Sequence, residues 1–508
     1  MRETQTPMGI SLPRRRAITA GLLLSMSLGA LEATVVGTAM PTVIATLGGL
    51  HHYSWVFTAY LLTSTASVPI WGRLSDLYGR RRMYLTGIAI FLVGSMMSGA
   101  ATSMNTLIAA RAIQGLGTGA IIPLSVTIVG ELYTLAERAR TQALFSGVWG
   151  VASVAGPLVG GYITDALSWR WVFYLNLPLG LLAGTVILLA YPATRRTLAV
   201  RVDWLGAALL FAGISALLIA LGADTGGGVA AGFAVAAVVL LGAFVVVEHR
   251  VAEPILPLDL LKTPLIARTI VVGFLVGMAL FGAIAFIPLF VQGVMGATAT
   301  QAGQVLTPLF LGWVIMSIVS ARLTPKLGYR RLAMTGTVLM TLGFIGLTMV
   351  GADSPRSTVL ASAMVIGSGM GLSMLSLLLA VQHGVDRAHL GIATSLNQFS
   401  RSVGAAVGIA AMGALMARQL TGVSMPGGAE AMAATGVMLT GAARLQFASA
   451  LHNVFVAGAG LAAASFVATL FLPPVDFSRG VGAAVGEQML AAEMTNLEPD
   501  DEPVAVRE

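Results

Sequence analysis

With 508 residues, 56% of them hydrophobic and only 10% charged, and a mean hydropathy of +0.86, the chain has the composition of a multi-span membrane protein, not of a soluble globule. The absence of cysteine excludes disulfides, thiolate chemistry and cysteine-bound metals. A formal charge of +7 could attract nucleic acid if it were concentrated, but the basic residues are scattered over short loops, where they act as topology signals.

Residues 1–16 form a polar segment ending in Arg14, Arg15 and Arg16. The apolar run that follows is too long for a signal-peptide core and contains Glu32, so it reads as a helix of the mature protein. Fourteen apolar segments of spanning length follow one another, near 17–40, 55–71, 83–101, 106–128, 141–164, 171–190, 204–222, 229–247, 268–291, 300–320, 332–350, 357–381, 392–416 and 450–472. The expected fold is all-α: one six-helix bundle over 17–190, a second over 268–472, and two additional spans over 204–247 between the linkers 191–203 and 248–267. The stretch 419–448, rich in Gly, Ala and Met, is expected as an outer loop, and the acidic tail 473–508 as a solvated cytoplasmic end. Of the Lys and Arg in loops, all but Arg170, Arg356, Arg418 and Arg444 then fall on one side. That asymmetry predicts a multi-pass protein of the cell (inner) membrane with both termini cytoplasmic.

Between the second and third segments, Gly72 to Arg82 reads GRLSDLYGRRR, which is expected to turn at a membrane surface. A worn copy, ARLTPKLGYRR, stands at Ala321 to Arg331 and marks two related halves. The first copy resembles the signature loop of the major facilitator superfamily, with Leu77 where that family usually has Arg. The resemblance implies a gating role for Gly72, Arg73, Asp76, Gly79, Arg80 and Arg81.

Glu32 is the one acid expected deep inside a span. Hydrocarbon disfavours a bare carboxylate, so Glu32 must pair or take up a proton, as a proton carrier does; the alternative is a plain interhelix hydrogen bond. Its segment LEATVVGTAMP resembles the first helix of multidrug–proton antiporters, which usually have Asp there. In RAIQGLGTG, Arg111, Gln114, Gly115 and Thr118 share one helix face. This string resembles the family's Arg-x-x-Gln-Gly element, which implies proton transfer for Arg111, biasing Glu32 toward ionisation in one conformation; a strut fixed to carbonyls is the other reading.

GVWGVASVAGPLVGG sets Gly147, Gly150, Gly156, Gly160 and Gly161 around Pro157, a spacing that lets helix backbones approach and bend. It resembles the Gly-Pro-x-x-Gly-Gly antiporter signature of exporters, and WRWVFYLNLPLG at 169–180 resembles the sixth-helix entry of fourteen-span drug–proton antiporters. In NQFSRSVGAAVG, Asn397 and Arg401 share a face with Gly404 and Gly408, Arg401 being either a cavity-wall charge or an interhelix anchor. Tyr60, Gln114, Trp149, Phe286, Gln292, Asn397 and Arg401 are candidates to line a substrate cavity, with plain packing as the alternative for each.

The chain is thus identified as resembling fourteen-helix drug–proton antiporters of the major facilitator superfamily. The resemblance implies export of small amphipathic compounds by alternating access, with no catalytic residues, no metal and no cofactor beyond the proton gradient, in a monomer that contacts lipid bilayer and not nucleic acid. Two other readings stand beside it: an exporter of a lipid or native metabolite on the same helices, and a non-transporting membrane receptor. A solitary buried acid predicts substrates that are neutral, zwitterionic or singly cationic.

Overall fold

The computed structural model describes residues 10–133, 135–192, 203–221, 227–251, 254, 258–351, 353–383, 390–420 and 441–473. The chain forms helices α1 (Leu12–Leu47), α2 (Tyr53–Tyr78), α3 (Arg80–Gly99), α4 (Met104–Leu132), α5 (Leu135–Ala166), α6 (Trp171–Tyr174), α7 (Asn176–Ala190), α8 (Trp204–Leu221), α9 (Gly227–Glu248), α10 (Pro264–Gly293), α11 (Ala299–Leu327), α12 (Tyr329–Thr348), α13 (Arg356–His383), α14 (Leu390–Leu420) and α15 (Gly441–Leu470), and no strand occurs among the described residues. Among those residues, twelve helical stretches are long and apolar enough to cross a membrane. They are all of the above except α2 and α5, with α6 and α7 joined as one. The outer loop expected over 419–448 is narrowed from both sides by α14 and α15, and its centre, 421–440, lies outside the described residues, as do most of the linker 191–203 and all but the first residue of the tail 473–508.

The stretch Gly72–Arg82 is not a loop. α2 continues to Tyr78 and α3 begins at Arg80, so the chain reverses at Gly79 alone, whose φ of 92° suits glycine. Gly328, φ 76°, does the same between α11 and α12, so the repeated sequence encodes a repeated one-residue turn. Charge placed this segment at a surface; it could not distinguish a loop from helix ends that project beyond the apolar core.

Helices α1 to α7 form one bundle and α10 to α15 the other, meeting where α5 packs on α11, α2 on α14, and α1 on α10. The hairpin α8–α9, held by Gly213 against Leu241, rests on the α2–α14 seam: Leu210, Ile214, Leu218 and Phe244 pack with Leu62, Ala406, Val407 and Ala410. In lipid the helices gain little from apolar burial, so backbone approach at small residues holds them together. Gly94 and Gly117 bring α3 onto α4, and Gly404 and Gly408 bring α14 onto α10. In the linker that precedes α10, Lys262 pairs with Asp259 at 2.6 Å and holds that carboxyl below its ordinary value.

Candidate functional site

The charged centre of the first bundle is built by five of its elements. α1 supplies Glu32 and α4 supplies Arg111, each 2% exposed. An Arg111 Nη1 hydrogen bond to Glu32 Oε1 joins them as an ion pair. The same Nη1 donates to Gln114 Oε1 at 2.7 Å, Nε donates to the Val56 carbonyl of α2 at 3.3 Å, and the guanidinium carbon lies 4.2 Å from the centroid of the Tyr60 ring. The other carboxylate oxygen of Glu32 accepts from Asn176 Nδ2 of α7 at 2.8 Å. Ser95 of α3 closes the network: it accepts from Asn176 at 3.0 Å and from Gln114 at 3.3 Å, and donates to the Phe173 carbonyl at 2.8 Å.

A buried pair of this kind tolerates its desolvation only when its remaining donors and acceptors are filled, and breaking one partner away costs about 3–5 kcal/mol. Here both oxygens of Glu32 are engaged, while Arg111 has four further partners: Gln114, the Val56 carbonyl and the rings of Tyr60 and Phe173. Protonating Glu32 would therefore cost Arg111 one partner of five and leave its charge held by Gln114, the Val56 carbonyl and the Tyr60 and Phe173 rings. Losing that one partner would not strand the arginine in the bundle interior.

The sequence reading paired Glu32 with Arg111, and the structure joins them; Gln114, offered as a cavity residue, is buried here as a partner of Arg111 and Ser95. Tyr60 stacks on Arg111 and accepts from Thr118 at 3.0 Å, so it belongs to the charged centre and not to a cavity wall. Asn176 and Ser95 were missed. The signal for Asn176 was an amide between two leucines in the stretch 169–180; nothing distinguishes Ser95 from the other serines of the spans. Trp169 is buried, with Arg170 stacked on it and donating to the carbonyls of Gly99 and Ala101.

The proline–glycine helix α5 joins this bundle to the other. A Cβ on Gly156 would lie 2.0 Å from Thr34 Oγ1, and one on Gly160 2.6 Å from Val35 Cγ1, so α5 lies against the turn of α1 that follows Glu32. On its other side a Cβ on Gly161 would lie 2.6 Å from the Ala299 carbonyl oxygen, and the Pro157 carbonyl oxygen would be 2.1 Å from a Cβ on Gly303 of α11. Gly150 is less constrained, 3.7 Å from Val314, and a Cβ on Gly147 would meet nothing within 4 Å.

The hydrogen bonds joining the two bundles among the described residues lie at one end, that of Gly49. Asp165, at the end of α5, accepts from Ala299 N at 3.2 Å and from Thr300 N at 2.8 Å at the N-terminus of α11, and also from Thr300 Oγ1. Gln292 donates to the Thr38 carbonyl at 3.0 Å, and the Tyr53 hydroxyl donates to the Ala285 carbonyl beside the Phe286 ring. Phe286 and Gln292 thus stand in a closed seam. Trp149 is half-buried against the first bundle's core. At the Gly79 end, Arg80 reaches Glu131 at 3.3 Å and Ser75, Tyr191 donates to Glu131 at 2.9 Å, and Arg81 donates to the Tyr191 carbonyl. Gly72 and Gly79 belong to the same corner; the side chains of Arg73 and Asp76 lie outside the described ones. Asn397 and Arg401 face α10 in the second bundle.

Two helical bundles sealed against each other at one end, with a buried ion pair inside one of them, have the architecture of a membrane transporter. The sequence matches the Major Facilitator Superfamily over residues 22–409, and the chain belongs to that family of transporters, not to a family of enzymes. It is 39% identical over 408 residues to the multidrug transporter protein MdtP of Bacillus subtilis (strain 168), covering 79% of this chain and 75% of that one. It is 35% identical over 411 residues to multidrug resistance protein 3 of the same organism, covering 80% of each. Among solved structures it shares its fold with a bacterial homologue of the human lysosomal transporter Spinster, at a TM-score of 0.68 and 14% identity, covering 91% of this chain and 97% of that one.

Proposed function

We propose that the protein exports small amphipathic compounds or drugs across the cytoplasmic membrane in exchange for protons, by alternating access of a cavity between its two bundles. The single observation that supports proton coupling is the buried Glu32–Arg111–Asn176 network, whose arginine keeps other partners when the acid is protonated. The names of the relatives, multidrug transporters and the efflux pump dotC of Dothistroma septosporum, support drugs as the exported class. In this reading α2 and α5 complete fourteen spans, as in the drug–proton antiporters, and both termini are cytoplasmic. The protein acts as a monomer, with the proton gradient in place of any cofactor.

The Gly49 end is then the outer one, and the conformation described is closed to the outside. The corner of Arg80 and Glu131 lies inside and gates the cytoplasmic mouth, and the gating role that the family resemblance implies for Asp76 belongs to the same end of α2. In the opposite state a proton from outside reaches Glu32 and releases its oxygen from Arg111, and α1 moves together with α5; return to the closed-outside state re-forms the pair and discharges the proton inward. Glu32→Gln keeps the shape and removes the titration. Uphill export into inverted vesicles should vanish while binding of neutral compounds remains, and sustained proton-driven accumulation by that variant would refute the coupling.

A further inference from the structure

Each bundle carries an arginine within a spanning helix, and the two are treated differently: Arg111 is buried, whereas Arg401 is partly exposed and reaches an exposed Gln398. Arg111 has a carboxylate, an amide oxygen, a carbonyl and an aromatic face. Arg401, on α14 opposite the middle of α10, has Gln398 Oε1 as its hydrogen-bond acceptor and no carboxylate among the described residues. Its stem is pinned: a Cβ on Gly277 would lie 2.4 Å from the Arg401 carbonyl oxygen and 3.1 Å from Cγ. One turn earlier, Asn397 is 6% exposed and its Nδ2 is buried with no hydrogen-bond partner. Its Oδ1 stands 3.9 Å from where a Cβ on Gly273 would be, so Gly273 and Gly277, one turn apart on α10, face Asn397 and Arg401 in the same order. The neighbouring Ser400 hydroxyl donates to the Ile270 carbonyl of α10 at 2.8 Å.

At membrane depth a cation without a counter-ion, even a partly exposed one, and a buried amide donor without an acceptor are both costly. Adjacent to each other, they lack the same thing: a negatively charged or acceptor-rich group. Resting on the transport reading above, we infer that Arg401 and Asn397 form a subsite for the anionic or acceptor end of an amphipathic substrate, such as a sulfonate, carboxylate or phenolate. Glu32 is excluded as a substrate counter-ion in this conformation, since Arg111 and Asn176 occupy both its oxygens. Substrate selection then shifts from the cations that a solitary acid suggested toward weak acids and zwitterions.

The test uses the full-length protein in lipid nanodiscs and two fluorescent probes that differ only by a sulfonate, 1-anilinonaphthalene-8-sulfonate and N-phenyl-1-naphthylamine. The wild type should bind the sulfonate about tenfold more tightly than the neutral probe, the scale of one charge-assisted contact. Arg401→Gln should erase that preference and leave the neutral probe's affinity unchanged, and Arg401→Lys should restore part of it. Asn397→Asp, which supplies the missing counter-ion internally, should abolish the preference with Arg401 still present. Equal affinities of wild type and Arg401→Gln for the sulfonate, or loss of both probes together, would overturn the subsite and leave Arg401 as a helix anchor. If Arg401→Gln does not fold, the Lys and Asp variants decide by the same criterion. No gradient is applied, so a failure of proton-driven export would leave this result standing, and its failure would leave the coupling test untouched.

Discussion

Asp165→Ala tests the closure of the Gly49 end. Asp165 accepts three hydrogen bonds across the seam, two of them from the first amides of α11, where the positive end of the helix dipole favours an anion. The site is exposed, so screening reduces each bond to about 0.5–1 kcal/mol, and losing all three costs the closed state about 2 kcal/mol, or roughly thirtyfold in its population relative to the open one. The chain has no cysteine, so Leu167→Cys with Met349→Cys, two exposed positions on opposite bundles at this end, would carry the only spin labels. Double electron–electron resonance should show the long-distance fraction rising in Asp165→Ala, with a smaller rise in Asp165→Asn, which keeps one acceptor oxygen. A distance distribution unchanged from the parent would refute the latch and assign the closure to glycine packing alone.

Asn176→Leu should cost about 1–3 kcal/mol in thermal stability, since Glu32 and Ser95 both lose a donor in a dry site, and it should shift the pH dependence of efflux; a stable variant with an unaltered pH profile would remove Asn176 from the coupling network. Tags at either terminus should be reachable only from inside intact cells, and labelling of either from outside would overturn the proposed topology.

The charged pair was legible because a buried charge is expensive and must find a partner: residue type and register put Glu32 and Arg111 inside spans, and the family resemblance matched one to the other. The helical architecture was legible for a similar reason, since long apolar runs have few alternatives in lipid. Asn176 and Ser95 were not legible, because serine and asparagine in spans commonly bond within their own helix, and their role depends on where α3 and α7 pack. Phe286 and Gln292 are an aromatic and a polar residue in the outer half of α10, so sequence could suggest a cavity, but whether a wall is open or closed belongs to the conformation. Asp165 reads as a loop acid until α11 is placed against it. Leu77 and the other departures from the family's loop signature have no account in the structure.

The helix α5 shows how a proton on Glu32 could be felt at the seam. Its Gly156 and Gly160 touch the turn of α1 that holds Thr34, Val35 and Thr38, and Gly161 and Pro157 touch α11, with no room for a methyl group at any of these contacts. Close-packed backbones transmit a displacement instead of absorbing it, so α1 cannot shift while α5 and the seam stay fixed. The tight half of α5 is the Gly49 half; toward the other end, Gly150 is in loose contact and Gly147 faces open space. If the bundles rock about α5, the two ends exchange roles, and Gly147 and Gly150 become the packed positions in the opposite state. Bulk at the two ends should then act in opposite directions. Gly303→Ala should wedge the closed end open, because its new Cβ meets the Pro157 carbonyl oxygen. Gly147→Leu should fit the described conformation and obstruct the other, trapping the protein closed at the Gly49 end. The same pair of spin labels reads both: a longer mean distance for Gly303→Ala, and for Gly147→Leu a short one that substrate and pH no longer change, together with lost efflux. Shifts of the same sign in the two variants would rule out α5 as the pivot.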